Sequence, residues 1–233
     1  MAKKIVVKIG GSILFDSNLD INFPILKKFK DWYVQHKEEY EKIVIVTGGG
    51  ALSRDLQKRI GNNITEKEYL HNIAMSVTQT NAAIIQGYLE DFDSYIPKRI
   101  GDAYEFLTEE KNRTLISGGL KVGWSSDMDA AIFADMLDAD TVYKISDIDY
   151  VYDSDPKINA NAKPFTDLTW TEYSGLFNIT DGAVQEANKN IPIDVTCAQF
   201  CLKKGISFFI CGGEALKDKA TVEEIIKSGT LIH

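Results

Sequence analysis

The sequence predicts an α/β fold in which helices cover both faces of a mostly parallel sheet. Short β-branched runs alternate along the chain with longer amphipathic segments, as in repeated strand–helix units. The strand candidates are continuously apolar, which indicates a sheet buried on both faces. Glycine clusters follow three of these strands, where ligands bind in open sheets of this kind. The 233 residues suit one domain, a three-layer α/β/α sandwich spanning residues 1–233.

Five segments have the composition of buried strands, and they are residues 4–9, 42–46, 114–116, 141–145 and 206–210. Pro24 predicts a helix over residues 24–37, because proline suits the first helical turn. The run Thr65-Glu-Lys-Glu68 has the pattern of a capping box and predicts that the next helix begins there. Asn81 falls on the apolar stripe of that helix, where we expect a buried hydrogen bond. A glycine- and serine-rich stretch after Ile116 divides the continuous sheet into two lobes, residues 1–120 and 121–233.

Composition excludes several functional classes. The 26 basic and 34 acidic residues give a net charge of −8, which argues against a surface that coats nucleic acid. No apolar run approaches the length of a membrane span, and the first residues show no signal-peptide pattern. Three cysteines and three scattered histidines favour free thiols in a reducing compartment and no histidine-based metal site. We therefore expect a cytoplasmic protein that binds small molecules and neither nucleic acid nor membrane.

The glycine clusters predict an anion site. Lys8-Ile-Gly-Gly-Ser12, Thr47-Gly-Gly-Gly50 and Ser117-Gly-Gly119 each follow a strand, so their backbone N–H groups can approach phosphate oxygens at one sheet edge. The chain contains neither the P-loop motif nor the dinucleotide fingerprint. Lys8 lies within the apolar run of the first strand, which is unusual for a solvated lysine. Its ammonium group is the candidate for neutralising phosphate.

Four segments of the sequence resemble the amino-acid kinase superfamily, and within it the uridylate (UMP) kinases of archaeal type. They are the Lys8–Ser12 motif, the Thr47–Gly50 motif with Arg54, the run Asp149-Tyr-Val-Tyr-Asp-Ser-Asp155-Pro156, and the ending Gly229-Thr-Leu-Ile232. The resemblance implies ATP-dependent phosphorylation of UMP to UDP in pyrimidine nucleotide synthesis. It also implies ATP and Mg²⁺ as cofactors, UMP in the N-terminal lobe, ATP in the C-terminal lobe, and a homo-oligomer, commonly a hexamer.

The resemblance also implies roles for individual residues. Lys8 and Asp127 would be catalytic, and Asp194 matches a further family aspartate. The implied ATP-binding residues are Lys8, Gly10, Gly11, Ser12, Gly50, Arg54, Ser146, Tyr152 and Asp155. The implied acceptor-binding residues are Gly49, Arg54, His71, Gly119, Gly123, Trp124, Ser125 and Ser126. Since Mg²⁺ is held largely by substrate phosphates, we expect no dedicated metal ligands in the chain.

The chain departs from the family at three positions. His71 replaces an aspartate that contacts the ribose hydroxyl groups, so a carboxylate's bidentate grip is lost. Tyr150 replaces a glycine in the turn beneath the adenine. A tyrosine cannot adopt a positive φ at low energetic cost, so we expect the turn to differ from the conformation that glycine allows. Close to that turn, Asp147 occupies a position that is lysine-like in relatives. The segment from Asp127 to Asp155 contains nine aspartates. We single out only the first and the last of them, Asp127 and Asp155, and expect most of the others to be solvated or to cap helices.

Two alternatives remain open. The first is a kinase of the same fold with another small phosphate acceptor. Isopentenyl phosphate kinases have a histidine where this chain has Leu52-Ser53-Arg54, and Arg54 with Ser125-Ser126 suits a phosphate better than the carboxylate acceptors of acetylglutamate and aspartate kinases. The second is a nucleotide-binding storage protein without kinase turnover, similar to the subunits of molybdenum storage protein.

Overall fold

The computed structural model describes residues 3–16, 18–156, 158–180, 191–216 and 221–233, and its centre is a seven-stranded sheet with strand order β3-β2-β1-β4-β8-β9-β7. Every strand pair in this sheet is parallel except β8 with β9. Strands β5 and β6 form a separate antiparallel pair. The strands are β1 (Lys4–Ile9), β2 (Lys42–Thr47), β3 (Thr114–Ser117), β4 (Thr141–Ser146), β5 (Val151–Tyr152), β6 (Pro164–Phe165), β7 (Asp167–Leu168), β8 (Ser207–Gly212) and β9 (Gly229–Ile232).

Helices cover both faces of the sheet, because successive strand side chains point to opposite sides. Ile5 and Val7 pack in one core with α1, α2 and α4, whereas Val6 packs in a second core with α5, α6, α7 and α8. The helices are α1 (Gly11–Leu14), α2 (Phe23–His36), α3 (Gly50–Ile60), α4 (Lys67–Leu89), α5 (Ile100–Thr108), α6 (Ser126–Leu137), α7 (Trp170–Leu176), α8 (Val195–Lys204) and α9 (Val222–Ile225). The predicted three-layer α/β/α fold is confirmed.

One helix start differs from the sequence prediction. The helix α4 begins at Lys67 with Glu66 at its N-cap and no side-chain capping bond, so the capping box predicted at Thr65 is wrong. Glu66 adopts an extended backbone, and the preceding chain enters the helix without using the Thr65 hydroxyl group. The predicted strands are all present, although the fifth begins at Ser207 rather than at residue 206. The short strands β5, β6, β7 and β9 were not predicted, because two- to four-residue strands carry little periodicity.

The strand order determines where the functional groups meet. Strands β1, β2 and β3 form one side of the sheet and β4, β8, β9 and β7 form the other, so β1 and β4 are neighbours at the centre. Their register pairs Lys8 with Lys144. The loops after β1, β2 and β4 therefore share one edge. Among the helices within the described ranges, none combines the length and the apolar character that a membrane span requires.

The three cysteines are buried and unbridged. Cys197 and Cys201 lie on one face of α8 with their sulfur atoms 3.9 Å apart, within an apolar core. The two residues therefore pack as small buried hydrophobic side chains. Trp32 and Trp170 also pack in the cores, whereas Trp124 is only partly buried.

Candidate active site

Two adjoining cavities lie at the carboxyl ends of the central strands. The large cavity has a volume of about 470 Å³ and the small cavity about 330 Å³. Gly49, Gly50, Arg54 and Ser126 line both of them, so the cavities share one wall. Two ligands bound side by side would meet at this shared wall.

The structure brings every residue that the resemblance marked for binding or catalysis to one of these two cavities. The large cavity alone is lined by Lys8, Gly10, Gly11, Ser12, Asp127, Ser146, Tyr152 and Asp155. The small cavity alone is lined by His71, Gly119, Gly123, Trp124 and Ser125. The first group contains Asp127 and most of the residues assigned to ATP, and the second contains residues assigned to the acceptor. Gly50 and Arg54, which were also assigned to ATP, line both cavities.

The glycine turns after β1 and β2 pack backbone against backbone. A Cβ atom added at Gly11 would lie 2.3 Å from the Gly50 nitrogen, and one at Gly50 would lie 1.9 Å from the Gly11 carbonyl oxygen. Gly50 also has φ +60°, which L-residues rarely adopt. Asn81 steadies the second turn, because its side-chain amide donates to the Gly48 carbonyl oxygen at 2.8 Å. This is the buried hydrogen bond expected for Asn81, and it supports the wall shared by the cavities.

A buried cluster of two lysines and one aspartate forms the floor of the large cavity. The Lys8 ammonium group lies 3.0 Å from Asp127 Oδ1, and the Lys144 ammonium group lies 2.8 Å from Asp127 Oδ2. Lys144 also donates to the Pro192 carbonyl oxygen. The two lysines are adjacent because β1 and β4 pair them in register. The cluster carries a net charge of +1, which faces the cavity and suits an anionic ligand.

The electrostatics of this cluster follow from its burial. Burial lowers the pKa of Lys8 to about 8, and Asp127 only partly opposes this effect. Burial alone would raise the pKa of Asp127, but Lys144 and Lys8 together lower it. The carboxylate therefore stays ionised at neutral pH, and Lys8 keeps its proton below about pH 8.

Asp127 is placed by two linked helix caps. The Ser125 hydroxyl group accepts a hydrogen bond from the Met128 backbone N–H at 3.0 Å and so caps α6. The same hydroxyl donates to Asp194, whose other carboxyl oxygen accepts from the Cys197 backbone N–H and caps α8. Asp194, which resembles a family aspartate, thus ties α8 to the start of α6. This contact orients the helix that carries Asp127.

The remainder of the large cavity combines hydroxyl groups, a carboxylate and apolar rings. Ser12 donates to Asp147 Oδ1 at 2.9 Å, and Ser146 donates to the same oxygen at 3.3 Å. Tyr150 and Tyr152 meet edge to face with ring centroids 6.4 Å apart, and both line the cavity. Tyr150 has no positive φ, as its side chain requires. Within the described ranges, no group of three acidic, histidine or cysteine side chains could hold a metal ion.

The small cavity has a cationic and aromatic rim. Arg54 and His71 are exposed at this rim, on α3 and α4. The Lys121 ammonium group lies over the Trp124 ring, 4.7 Å from its centroid. Gly123, with φ +86°, turns the loop that carries Trp124. The cavity can therefore hold a phosphate beside Arg54 and a planar ring beside Trp124.

Asp129 is a functional candidate that the sequence interpretation missed. We expected most aspartates of this region to be solvated or to cap helices, but Asp129 is only 1% exposed and lines the small cavity. Lys144 was missed as well. Its position inside the apolar strand 141–145 was an available signal, the same one that drew attention to Lys8. For Asp129, no local pattern separates a buried aspartate from an exposed one at the start of a helix.

The chain is similar in sequence to known kinases. A sequence model described as the Amino acid kinase family matches residues 3–212. The uridylate kinase of Thermococcus kodakarensis is 31% identical over 239 aligned residues, which cover 99% of each chain. The uridylate kinase of Methanococcus aeolicus is 28% identical over 237 aligned residues, with the same coverage.

Solved structures share the fold. The uridylate kinase from Archaeoglobus fulgidus has a TM-score of 0.76 at 22% identity, covering 99% of this chain and 100% of that one. The UMP kinase from Bacillus anthracis has a TM-score of 0.75 at 18% identity, covering 100% of this chain and 96% of that one. At these identities the likeness concerns the arrangement of strands and helices alone.

Proposed function

The chain belongs to the amino acid kinase family, and we propose that it transfers the γ-phosphoryl group of ATP to the phosphate of UMP, giving ADP and UDP. The observation that carries this proposal is the wall shared by the two cavities. A triphosphate in the large cavity and a monophosphate in the small cavity would meet there, beside Lys8. The archaeal relatives named uridylate kinase support UMP as the acceptor.

The proposed reaction needs positioning and charge neutralisation more than covalent chemistry. An oxygen of the acceptor phosphate attacks the γ-phosphorus while the bond from that phosphorus to the β–γ bridging oxygen breaks. A phosphate monoester has its second pKa at about 6, so its oxygens are mostly unprotonated at neutral pH and no general base is required. The leaving group is ADP. Its developing charge requires cations nearby.

The chain supplies these cations from the large cavity. Lys8 would contact the transferring group. Lys144 would add a second ammonium group, since it lies beside Lys8 on the neighbouring strand and pairs with the same aspartate. Asp127 holds both lysines in place, so the charges are arranged before the substrates bind. The amides of the paired glycine turns approach the phosphates where no side chain intervenes.

Mg²⁺ is the metal proposed for this reaction, and it would neutralise charge on the triphosphate. The available donors fit a metal that is bound mainly by phosphates and water. Asp147 presents one carboxylate at the large cavity, next to the hydroxyl groups of Ser12 and Ser146. Tyr150, Tyr152 and Phe177 give the same cavity the rings that an adenine base packs against.

Three residues that line the small cavity are the proposed contacts of UMP. Arg54 is the residue proposed to bind the UMP phosphate, because a guanidinium group can bond two oxygens at once. His71 is proposed to contact the ribose with a single hydrogen bond. Trp124 is proposed to contact the base.

An assay of phosphoryl transfer tests the proposal directly. Release of ADP is measured with ATP and Mg²⁺ in the presence of UMP, CMP, a small phosphomonoester such as isopentenyl phosphate, or no acceptor. We expect UMP-dependent ADP release with UDP as the product. ADP release with only the non-nucleotide phosphomonoester would replace UMP with another acceptor. ATP binding without transfer to any acceptor would favour the storage-protein alternative.

We also propose a cytoplasmic homo-oligomer, a hexamer by resemblance. Three buried free thiols support a reducing compartment. Light scattering of the purified protein measures the assembly, and a monomeric mass would contradict this part of the proposal.

A further inference from the structure

The small cavity is lined by Asp129, a buried carboxyl group that the Leu120 backbone N–H approaches without a hydrogen bond of normal geometry. Asp129 is 1% exposed, and neither of its carboxyl oxygens has a hydrogen bond of normal geometry among the described residues. A Cβ atom added at Gly119 would lie 3.7 Å from Asp129 Oδ2, and Gly119 itself lines the same cavity. Asp129 thus lies in the wall of the cavity, and its carboxyl oxygens are covered by neighbouring residues.

Asp129 and the phosphate-binding groups occupy different parts of the site. Arg54, Gly49, Gly50 and Ser126 border both cavities, whereas Asp129 borders the small cavity alone. A monophosphate held at the shared wall would direct the rest of its molecule away from the large cavity, toward Asp129. The part of the nucleotide beyond its phosphate, the ribose or the base, would then reach Asp129.

An unsatisfied buried polar group costs free energy, and a ligand that completes its hydrogen bonds recovers that cost. We propose that the Asp129 carboxyl group binds the edge of the acceptor's pyrimidine ring through two hydrogen bonds, one donated and one accepted. This inference rests on the proposed function, in which a nucleoside monophosphate occupies the small cavity. It makes Asp129 a base-binding residue that contributes to the affinity for the acceptor.

The protonation of Asp129 decides which ring edges match. The pKa of Asp129 is raised to about 7, mainly by burial; the Leu120 backbone N–H opposes this shift, and the negative charge of Asp127 adds to it. The other charged or titratable groups that line this cavity are Arg54, His71 and Lys121. A neutral carboxyl group both donates and accepts, whereas a carboxylate only accepts.

A neutral carboxyl group matches two pyrimidines. Uracil presents an N3–H donor beside a carbonyl acceptor, and cytosine presents an N3 acceptor beside an amino donor. The neutral Asp129 side chain can pair with either edge by reversing its orientation. An ionised Asp129 would face the uracil carbonyl oxygen with like partial charge. The inference therefore predicts that CMP binds with an affinity within about tenfold of that of UMP, since each pairing has two neutral hydrogen bonds.

Calorimetric titration with UMP, CMP and ribose 5-phosphate tests the inference, because ribose 5-phosphate carries the sugar and phosphate without the base. For Asp129→Ala, we expect the UMP Kd to rise by about ten- to a hundredfold, as for loss of two hydrogen bonds. The Kd of ribose 5-phosphate should stay within about twofold, since no base contact is involved. Asp129→Asn keeps one donor and one acceptor and should restore most of the UMP affinity.

A matched control lies on the same helix. Asp135 pairs with Lys204 at 2.9 Å and lines neither cavity, so Asp135→Asn should leave all three affinities unchanged. Thermal unfolding of each variant shows whether it is folded, so that a change in Kd is not mistaken for a folding defect. Removing an unpaired buried carboxylate should raise the Tm of Asp129→Asn at pH 8, because the ionised group penalises the folded state most fully above its raised pKa.

The pH dependence supplies a second readout. Between pH 7 and 8.5, the UMP affinity of the wild type should fall by up to about tenfold per unit as Asp129 ionises. That of Asp129→Asn should stay nearly level, and any titration of Lys8 affects both proteins alike. A flat wild-type profile would overturn the role of the neutral carboxyl group.

The remaining outcomes separate the inference from the proposed function. The inference is overturned if Asp129→Ala binds UMP with an unchanged Kd, or if it binds UMP and ribose 5-phosphate with equally weakened affinity. In either case, UMP turnover by the wild type would still support the proposed function. If the wild type neither binds nor phosphorylates UMP, the proposed function fails, and the inference fails with it.

Discussion

Asp127 and Asp129 lie two residues apart on α6 and are both buried, yet their surroundings are opposite. Asp127 faces the large cavity between two lysines, which lower its pKa. Asp129 faces the small cavity without a cation in contact, and burial raises its pKa to about 7. Asp127 is thus an ionised carboxylate held by two lysines, whereas Asp129, on the same turn of the helix, is a buried carboxyl group without a cation partner.

The difference indicates that the two cavities have separate roles, one in the chemical step and one in binding the acceptor. The large cavity is complete before any ligand arrives, because its charges are already paired and oriented by the protein. The small cavity has a buried carboxyl group, that of Asp129, whose hydrogen bonds a ligand can complete. Changes in the large cavity should therefore lower kcat, and changes in the small cavity should raise the KM or Kd of the acceptor.

The largest effect is expected for Lys8→Met, which removes the charge and keeps most of the side-chain volume. We expect kcat to fall between about 10²- and 10³-fold, as for the loss of one preorganised electrostatic contact. Asp127 keeps its ion pair with Lys144, so the protein should still fold and bind UMP. Steady-state kinetics and calorimetry measure these quantities.

The control for this variant lies on the same strand. Lys4 is at the opposite end of β1, and its ammonium group donates to the Leu137 carbonyl oxygen. Lys4→Met should leave kcat unchanged. Full UDP formation by Lys8→Met would remove Lys8 from the reaction and would break the contrast between the cavities.

A smaller effect is expected at the shared wall for Arg54→Met. Loss of a charged hydrogen-bond donor to the acceptor phosphate should raise the KM for UMP by about ten- to a hundredfold, with a smaller change in kcat. Arg59→Met is the matched control on α3, because Arg59 pairs with Asp55 and lines neither cavity. A change of equal size in both variants would indicate a general effect on α3.

The smallest effect is a pH dependence of the large cavity. At saturating UMP, kcat/KM for ATP should fall about tenfold per unit above pH 8, because Lys8 loses its proton near its lowered pKa. Bound triphosphate favours the ammonium form, so kcat should stay constant to higher pH. Profiles of kcat/KM and kcat that decline together would show that Lys8 is not the group that titrates.

The sequence was informative wherever a feature depends on local pattern. Buried parallel strands are continuously apolar, and glycine at a strand end reflects a backbone that leaves no room for a side chain, as at Gly11 and Gly50. The predicted start of α4 at Thr65 failed, because a cap depends on backbone geometry at a single residue, here Glu66. The short edge strands were missed since pairing with neighbours, and not periodicity, defines them.

By itself, the sequence determined the α/β class, the glycine turns and a lysine embedded in an apolar strand, because each of these follows from residue type and neighbouring residues. Only the tertiary structure decided that Lys144 stands beside Lys8 and that Asp127 and Asp129 face different cavities. Those facts depend on strand order and on the packing of α6 against the sheet. The charge and the protonation of a buried group are set by its neighbours in space, and these come from distant parts of the chain.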